Sequence, residues 1–214
     1  MPDRPRDPRI CFLGDSYTAA VGDPSALGWV GRVVAAAHAA GHTLTAYPLG
    51  VRGETSAQVA DRIDTELRPR LVPGADNRAV LAVGVNDTVA TDDGPRLSAA
   101  QSEDALRRAV ATARRRTADG GVLVVGPPAV DDDAQNDRLR ALDDRFARTC
   151  HALGVPYVAT FAATVGHTVW RHEVAAGDSY HPGAAGYAAF AEVVEPAFLA
   201  WVDPAAGGAP AACG

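Results

Sequence analysis

Short apolar runs alternate with longer stretches of helical character along most of this 214-residue chain. Five apolar runs lack the alternation of a half-exposed strand, and they predict strands at residues 10–13, 44–49, 79–83, 122–125 and 156–159. Alanine-rich stretches between and after them predict helices at residues 28–40, 56–67, 102–118, 134–153 and 182–201. This alternation indicates an α/β fold, doubly wound, with a five-stranded parallel sheet covered on both faces.

Four unusual loops lie just after a predicted strand or just before the last helix, at residues 13–18, 50–55, 84–87 and 178–182. A doubly wound sheet binds its ligand beyond the carboxyl ends of the strands, so we expect these loops to meet there. They offer a hydroxyl, flexible backbone N–H groups, a side-chain amide, and a carboxylate with an imidazole. These groups are the parts of an acyl-transfer site: a nucleophile, a base with its orienting acid, and donors for an oxyanion.

The loop before the last helix supplies the predicted base. Pro182 suits the first position of a helix, so we expect His181 near the N-cap and Asp178 in the loop before it. The Asp178 carboxylate would fix the Nδ1–H tautomer of the imidazole and leave Nε2 facing Ser16. Ser16 follows Gly14, whose conformational freedom would expose the hydroxyl.

Four sequence blocks, in order, resemble a known family. They are Gly-Asp-Ser after the first strand, a glycine after the second, Gly-x-Asn-Asp after the third, and Asp-x-x-His before the last helix. Together they look like the SGNH hydrolases, also called GDSL-type esterases and lipases, over residues 10–201. The resemblance implies a three-layer α/β/α fold of flavodoxin-like strand order and ester hydrolysis through an acyl-enzyme.

The resemblance also implies residue roles. Ser16 matches the nucleophile, His181 the base and Asp178 its support. The oxyanion hole would consist of the Ser16 backbone N–H, Gly53 and Asn86, with Gly50 as the alternative to Gly53. We prefer Gly53 because the Gly-Glu-Thr-Ser context resembles that of the family. The family name has leucine after the serine, and Tyr17 at that position bears on the shape of the pocket only.

Aromatic residues near the predicted base are candidates for substrate binding. We expect residues 162–177 to form a long loop that walls the pocket, with Tyr17, Trp170 and Tyr180 contacting the substrate. The alternative for Trp170 is that it only anchors the loop. His167 and His172 lack the closer grouping with Cys, Asp or Glu that a metal site needs, so we expect no metal and no cofactor.

Composition excludes several function classes. A net charge of −6 argues against nucleic-acid binding, which needs a basic face. All 20 basic residues are arginine, and the absence of lysine excludes the P-loop lysine, Schiff-base chemistry and serine–lysine pairs. Cys11, Cys150 and Cys213 follow no disulfide pattern and suggest a reducing compartment.

The length and composition of the chain indicate its domain organisation and its location. We expect a single catalytic domain over residues 9–202, with flexible termini at residues 1–8 and 203–214. The first eight residues contain no apolar run, and no stretch approaches the length of a membrane span, so we predict a cytoplasmic protein that does not bind membranes. We expect a monomer or small homo-oligomer.

The predicted function is a serine ester hydrolase that cleaves a small or medium acyl ester through an acyl-enzyme on Ser16. An acyltransferase that uses the same site is one alternative, since the two differ only in whether the pocket excludes water. A flavodoxin-like module that binds a phosphate or nucleotide at residues 14–18 is the other, and it would give Asp178 and His181 no role.

Overall fold

The computed structural model describes residues 7–203, and its centre is a five-stranded parallel sheet. In chain order the strands are β1 Arg9–Gly14, β2 Thr45–Gly50, β3 Asn77–Ala82, β4 Ala90–Thr91, β5 Gly94–Pro95, β6 Val122–Val125 and β7 Tyr157–Val158. The main sheet has the order β2-β1-β3-β6-β7, while β4 and β5 form a separate antiparallel hairpin. Counting only the five parallel strands, the order is 2-1-3-4-5, the flavodoxin-like order that the resemblance implies.

Seven helices flank the sheet within the described residues. They are α1 Gly28–Ala39, α2 Ser56–Leu67, α3 Ala99–Arg114, α4 Asp133–Leu153, α5 Phe161–Val165, α6 Thr168–Ala176 and α7 Ala184–Val202. Capping boxes begin α2 and α3, where Thr55 pairs with Gln58 and Ser98 with Gln101. Gly154 ends α4 in the left-handed conformation.

Two apolar clusters, one on each face of the sheet, form the core. One contains Phe12, Trp29 and Phe198, between the sheet and helices α1 and α7. The other contains Leu13 and Ile63, between the sheet and helices α2 and α3. Alternate residues of β1 therefore enter opposite clusters, which explains why this strand reads as an unbroken apolar run. The three-layer α/β/α prediction is confirmed.

The region expected to be one long loop is helical instead. Residues 161–165 form α5 and residues 168–176 form α6, so the prediction for residues 162–177 is wrong. His167 is the N-cap of α6, and its Nδ1 accepts a hydrogen bond from the Trp170 backbone N–H at 3.3 Å. Trp170 and Val174, four residues apart, are the buried positions of this helix.

Helix α7 begins two residues later than expected. Gly183 is its N-cap, so Pro182 and His181 precede the helix. The backbone N–H of Gly186 donates to Glu173 Oε2 of α6 at 2.6 Å, which supplies the cap that Gly183 lacks. His181 thus lies in the loop before α7, and the hydrogen bond between Glu173 and Gly186 holds the start of that helix.

Among the described residues, α7 is the one helix long and apolar enough to cross a membrane, judged by length and composition. The prediction that no stretch of the chain approaches the length of a membrane span is therefore wrong. The apolar composition has a reason within this fold, because Tyr187, Phe190, Val194 and Phe198 lie in the core. The predicted flexible termini are residues 1–8 and 203–214. Of these, residues 1–6 and 204–214 lie outside the described residues.

Candidate active site

Ser16, His181 and Asp178 form a continuous hydrogen-bonded chain at the carboxyl edge of the sheet. His181 Nε2 lies 2.7 Å from Ser16 Oγ, and His181 Nδ1 lies 2.7 Å from Asp178 Oδ2. Ser16 is buried, the His181 side chain is 11% exposed and that of Asp178 is 53% exposed. The structure thus brings together three residues from the two ends of the chain, in the order the sequence predicts.

The Asp178 carboxylate is held by its own loop. Its Oδ1 accepts the backbone N–H groups of Tyr180 at 3.0 Å and His181 at 2.8 Å, which leaves Oδ2 for the imidazole. The intervening Ser179 takes a positive φ of 69° to close this turn. Partial burial raises the pKa of Asp178, but the hydrogen bonds from His181 and Tyr180 outweigh it and lower the pKa, so the carboxylate is the favoured form.

Gly14 and Gly50 allow the Ser16 loop to sit tightly on the sheet edge. A Cβ on Gly14 would lie 2.4 Å from the Ala82 carbonyl oxygen, and one on Gly50 would lie 2.4 Å from the backbone of Asp15 and of Ala19. Gly50 therefore packs beneath the loop that presents Ser16. Gly53 differs, because it has a φ of 77°, is exposed and lines a cavity that opens over Ser16 and His181.

Asn86 lies directly above the end of β3, at the start of a short 3-10 helix over Asn86–Thr88. Gly84 turns the chain there with a φ of 124°. The Asn86 amide donates to Asp15 Oδ2 and to the Glu54 carbonyl oxygen, both at 3.0 Å. Both N–H groups of the amide are therefore engaged, and Asn86 connects the first and second of the four loops.

Asp15, the residue before the serine, is a buried carboxyl group. Its Oδ1 accepts the Tyr17 backbone N–H at 3.0 Å and its Oδ2 accepts the Asn86 amide. Burial is the main reason that its pKa is raised to about 7, and the negative charge of Asp87 also raises the pKa, by a smaller amount than burial does. The hydrogen bonds from Tyr17 and Asn86 act in the opposite direction and lower the pKa. The group next to the nucleophile thus changes charge near neutral pH.

Two further polar side chains hold the second loop. Asp87 Oδ1 accepts the Ser56 backbone N–H at 2.7 Å and Oδ2 accepts the Ser56 hydroxyl at 2.6 Å, at the first turn of α2. Arg62 donates from Nη2 to the carbonyl oxygens of Gly14 at 3.0 Å and Leu49 at 2.8 Å. It also pairs with Glu54 at 2.6 Å, so Glu54 is neutralised below the site.

Sequence reasoning missed Gln135, which is buried at the start of α4. Its Nε2 donates to the Val85 carbonyl oxygen and to Thr88 Oγ1, both at 3.1 Å. Its Oε1 accepts the Tyr180 hydroxyl at 3.3 Å. One amide therefore joins the loop that carries Asn86 to the loop that carries His181. No sequence motif signals this role, because it depends on where α4 begins relative to β3.

A cavity of about 370 Å³ opens over the Ser16–His181 pair. Its lining residues are Ser16, Tyr17, Arg52, Gly53, Val85, Asn86, Val89, Arg96, Tyr180 and His181. A larger cavity of about 740 Å³ lies at the amino ends of the strands, beside Arg78 and Trp201. None of the predicted site residues lines that larger cavity. The smaller cavity, which Ser16, Asn86 and His181 line, is therefore the candidate active site.

Of the three aromatic residues predicted to contact substrate, Tyr17 and Tyr180 line this cavity and Trp170 does not. Trp170 is 1% exposed, and its indole N–H donates to the Ala129 carbonyl oxygen at 2.8 Å. Its ring stacks on Tyr17 with 6.1 Å between centroids. The structure therefore corrects the substrate-binding assignment in favour of the anchoring alternative, with Trp170 supporting Tyr17 from behind.

Between residues 7 and 203, no three His, Cys, Asp or Glu side chains are grouped so that they could hold a metal ion. His167, one of the two histidines weighed for that role, instead caps α6.

The fold and this site together define an enzyme of the carboxylic ester hydrolase class. The chain belongs to the GDSL-like lipase/acylhydrolase family, whose model matches residues 12–189. The resemblance to the SGNH hydrolases is thereby confirmed.

Solved structures share the fold at low sequence identity. A lipase/acylhydrolase from Enterococcus faecalis superposes with a TM-score of 0.71 at 19% identity, covering 90% of this chain and 95% of the other. An acetylxylan esterase from Geobacillus stearothermophilus gives 0.70 at 21% identity, covering 92% and 94%. The structure of TesA gives 0.71 at 20% identity, covering 91% and 98%. No curated protein sequence matches this chain at a significant level.

Proposed function

We propose that residues 9–202 form a single catalytic domain that hydrolyses a small or medium acyl ester through an acyl-enzyme on Ser16. The observation that carries this proposal is the hydrogen-bonded chain from Ser16 through His181 to Asp178 at the floor of an open cavity. A serine hydroxyl beside a neutral imidazole whose other nitrogen is held by a carboxylate is the arrangement that activates serine as a nucleophile.

In the first step, Ser16 Oγ attacks the ester carbonyl carbon while His181 Nε2 takes the hydroxyl proton. Asp178 keeps the ring in the required tautomer and stabilises the imidazolium. The tetrahedral intermediate then collapses, the bond to the leaving oxygen breaks, and His181 returns the proton to the departing alcohol. Water repeats the sequence on the acyl-enzyme, releasing the acid and restoring Ser16.

The oxyanion of each tetrahedral intermediate needs aimed donors. We assign the backbone N–H groups of Ser16 and Gly53, neither of which makes a hydrogen bond within residues 7–203, and the Asn86 amide. Gly53 is preferred to Gly50 because Gly53 lines the cavity while Gly50 packs under the Ser16 loop. Asn86 would share with the oxyanion the N–H that now donates to Glu54.

Substrate size and setting are further parts of the proposal. A cavity of about 370 Å³ that is open to solvent suits a small or medium acyl ester as the partner molecule. We place the protein in the cytoplasm, as a monomer or small homo-oligomer without membrane or nucleic-acid partners. The buried thiols of Cys11 and Cys150 are compatible with that reducing compartment.

The test is hydrolysis of 4-nitrophenyl esters from acetate to palmitate by the wild type and by Ser16→Ala. We expect Ser16→Ala to lose at least about 10³-fold in kcat/KM. The chain offers a matched control, because Gly177–Tyr180 repeats the letters of Gly14–Tyr17. Ser179→Ala, which removes the serine of the second copy, should keep the wild-type rate. Equal rates for the wild type and Ser16→Ala would refute the serine mechanism.

A second measurement observes the nucleophile directly. A fluorophosphonate reagent should phosphonylate Ser16, and peptide mass spectrometry should find the added mass on Ser16 and not on Ser179. Adding alcohols to the ester assay separates hydrolysis from transfer, since an acyltransferase would form the new ester in place of the acid.

A further inference from the structure

Two arginines, Arg52 and Arg96, line the rim of the active-site cavity. Arg52 precedes the proposed oxyanion donor Gly53, and Arg96 follows the β4–β5 hairpin. Both are exposed. These two positive charges lie together in a chain whose net charge is −6. Because they line the same cavity as Ser16, they can interact with a substrate bound there.

Most other arginines in the described part of the chain have acidic partners. Arginines within 4 Å of a carboxylate are Arg32, Arg62, Arg70, Arg78, Arg107, Arg108, Arg116, Arg140 and Arg145. Arg52 forms no hydrogen bond or ion pair within residues 7–203. Arg96 donates only to neutral groups, the Gly53 carbonyl oxygen at 2.8 Å and Gln58 Oε1 at 3.5 Å. Neither guanidinium charge is neutralised.

Among residues 7–203, no carboxylate lines this cavity. Four acidic residues near the lining residues in the chain are already engaged: Asp178 with His181, Glu54 with Arg62, Asp15 with the Asn86 amide, and Asp87 with Ser56. The cavity therefore has donors and two positive charges at its rim, and no acceptor of matching charge. A guanidinium forms its strongest hydrogen bonds with carboxylate-like oxygens, which bind its planar fork.

We propose that this site prefers esters that carry a second, anionic group of the carboxylate type, bound by Arg52 and Arg96 while Ser16 attacks the ester. The inference rests on the proposed function, and it adds the charge of the substrate to it. The anionic group could belong to the acyl part or to the alcohol part of the ester. The chemistry at the arginines is the same in both cases, and the experiment distinguishes them.

The probes are two pairs of esters, each differing in one charge. For the alcohol side, 4-acetoxybenzoate is compared with its neutral analogue 4-acetoxybenzamide. For the acyl side, the mono-4-nitrophenyl ester of adipic acid is compared with its terminal amide. We expect the wild type to show a kcat/KM about tenfold higher for the anionic ester in at least one pair, which then identifies the side that carries the charge.

Arg52→Gln should reduce that ratio about three- to tenfold, and Arg52→Glu should make the neutral ester the better substrate. Arg115→Gln, which removes one positive charge from the remote surface of the α3 C-terminus, is the matched control and should leave the ratio unchanged. The wild-type ratio should also fall between 50 mM and 1 M NaCl, because salt screens exposed charges.

A wild-type ratio near one in both pairs would overturn the inference, as would a ratio that Arg52→Gln does not change or that Arg115→Gln lowers equally. These results would leave the proposed function intact as long as Ser16→Ala stays inactive on the neutral esters. Wild-type inactivity on every ester, by contrast, would contradict the proposed function itself.

Discussion

The Tyr180 hydroxyl donates a hydrogen bond to the side-chain oxygen of Gln135, 3.3 Å away. Tyr180 immediately precedes His181, while the amide nitrogen of Gln135 holds the chain beside Asn86 through Val85 and Thr88. The separation between the proposed base and the proposed oxyanion donor thus depends on the start of α4. Gln135 is a positioning residue in this arrangement, since it does not line the cavity.

Removing this link should reduce kcat more than it changes KM, because a base displaced from its partner slows the chemical step. We expect Gln135→Leu to lower kcat about tenfold on 4-nitrophenyl acetate, and Tyr180→Phe to lower it less. The double variant should be little worse than Gln135→Leu alone, since both changes break the same contact. Fully additive effects on kcat would show that the two side chains act independently.

Asn86→Ala should lower kcat/KM by about 10²–10³ if the amide stabilises the oxyanion. It also removes a donor from Asp15, so the free energy of unfolding should fall by about 1 kcal/mol as well. Steady-state kinetics and urea denaturation of the same preparation separate the two effects. A loss of stability with full activity would assign Asn86 a structural role only.

Asp15 makes stability depend on pH in a definite direction. Its pKa is raised from 3.8 to about 7 on folding, so the folded protein retains a proton that the unfolded chain releases. Its contribution is therefore fully present below pH 4 and is lost as pH rises towards 7. Between pH 5 and pH 8 the wild type should lose about 2.5 kcal/mol more stability than Asp15→Asn. Urea denaturation at both pH values measures the difference, and parallel pH profiles would contradict the assignment.

Glu173 replaces the missing side-chain cap of α7. Glu173→Ala should lower the free energy of unfolding by about 1 kcal/mol, because it leaves the Gly186 N–H unpaired and removes a negative charge from the positive end of the helix. Glu192→Ala, an exposed position in the middle of α7, is the matched control and should change stability by less than about 0.5 kcal/mol. Equal losses in the two variants would exclude the capping role.

The centre of the sheet was predictable because β1, β3 and β6 each contain a buried apolar run with a clear end. The predicted ranges of α2 and β6 agree with the structure, and the α7 start was misplaced since Pro182 satisfies the rule for a first helical residue without being one. Helix α6 was missed although its signal is present, with Trp170 and Val174 spaced by one turn. Its nine residues give that pattern only one repeat.

The candidate site was predictable to the extent that its residues stand at strand ends. Ser16 and Asn86 could be placed together because parallel strands end at one edge, and His181 was added from the Asp-x-x-His block before the last helix. Gln135 and Arg62 could not, since each acts from within a helix and its partners are backbone oxygens of other elements. The unneutralised state of Arg52 was equally hidden, because charge pairing depends on which side chains meet in space.

The β4–β5 hairpin contacts the site without contributing to the Ser16–His181–Asp178 chain. Two backbone hydrogen bonds hold it, from Arg96 N–H to the Val89 carbonyl oxygen and from Leu97 N–H to the Asp87 carbonyl oxygen, each 3.0 Å long. Val89 and Arg96 are the residues it gives to the rim. A change in the length or charge of the hairpin would therefore reshape the mouth of the cavity and leave the Ser16–His181–Asp178 hydrogen bonds in place.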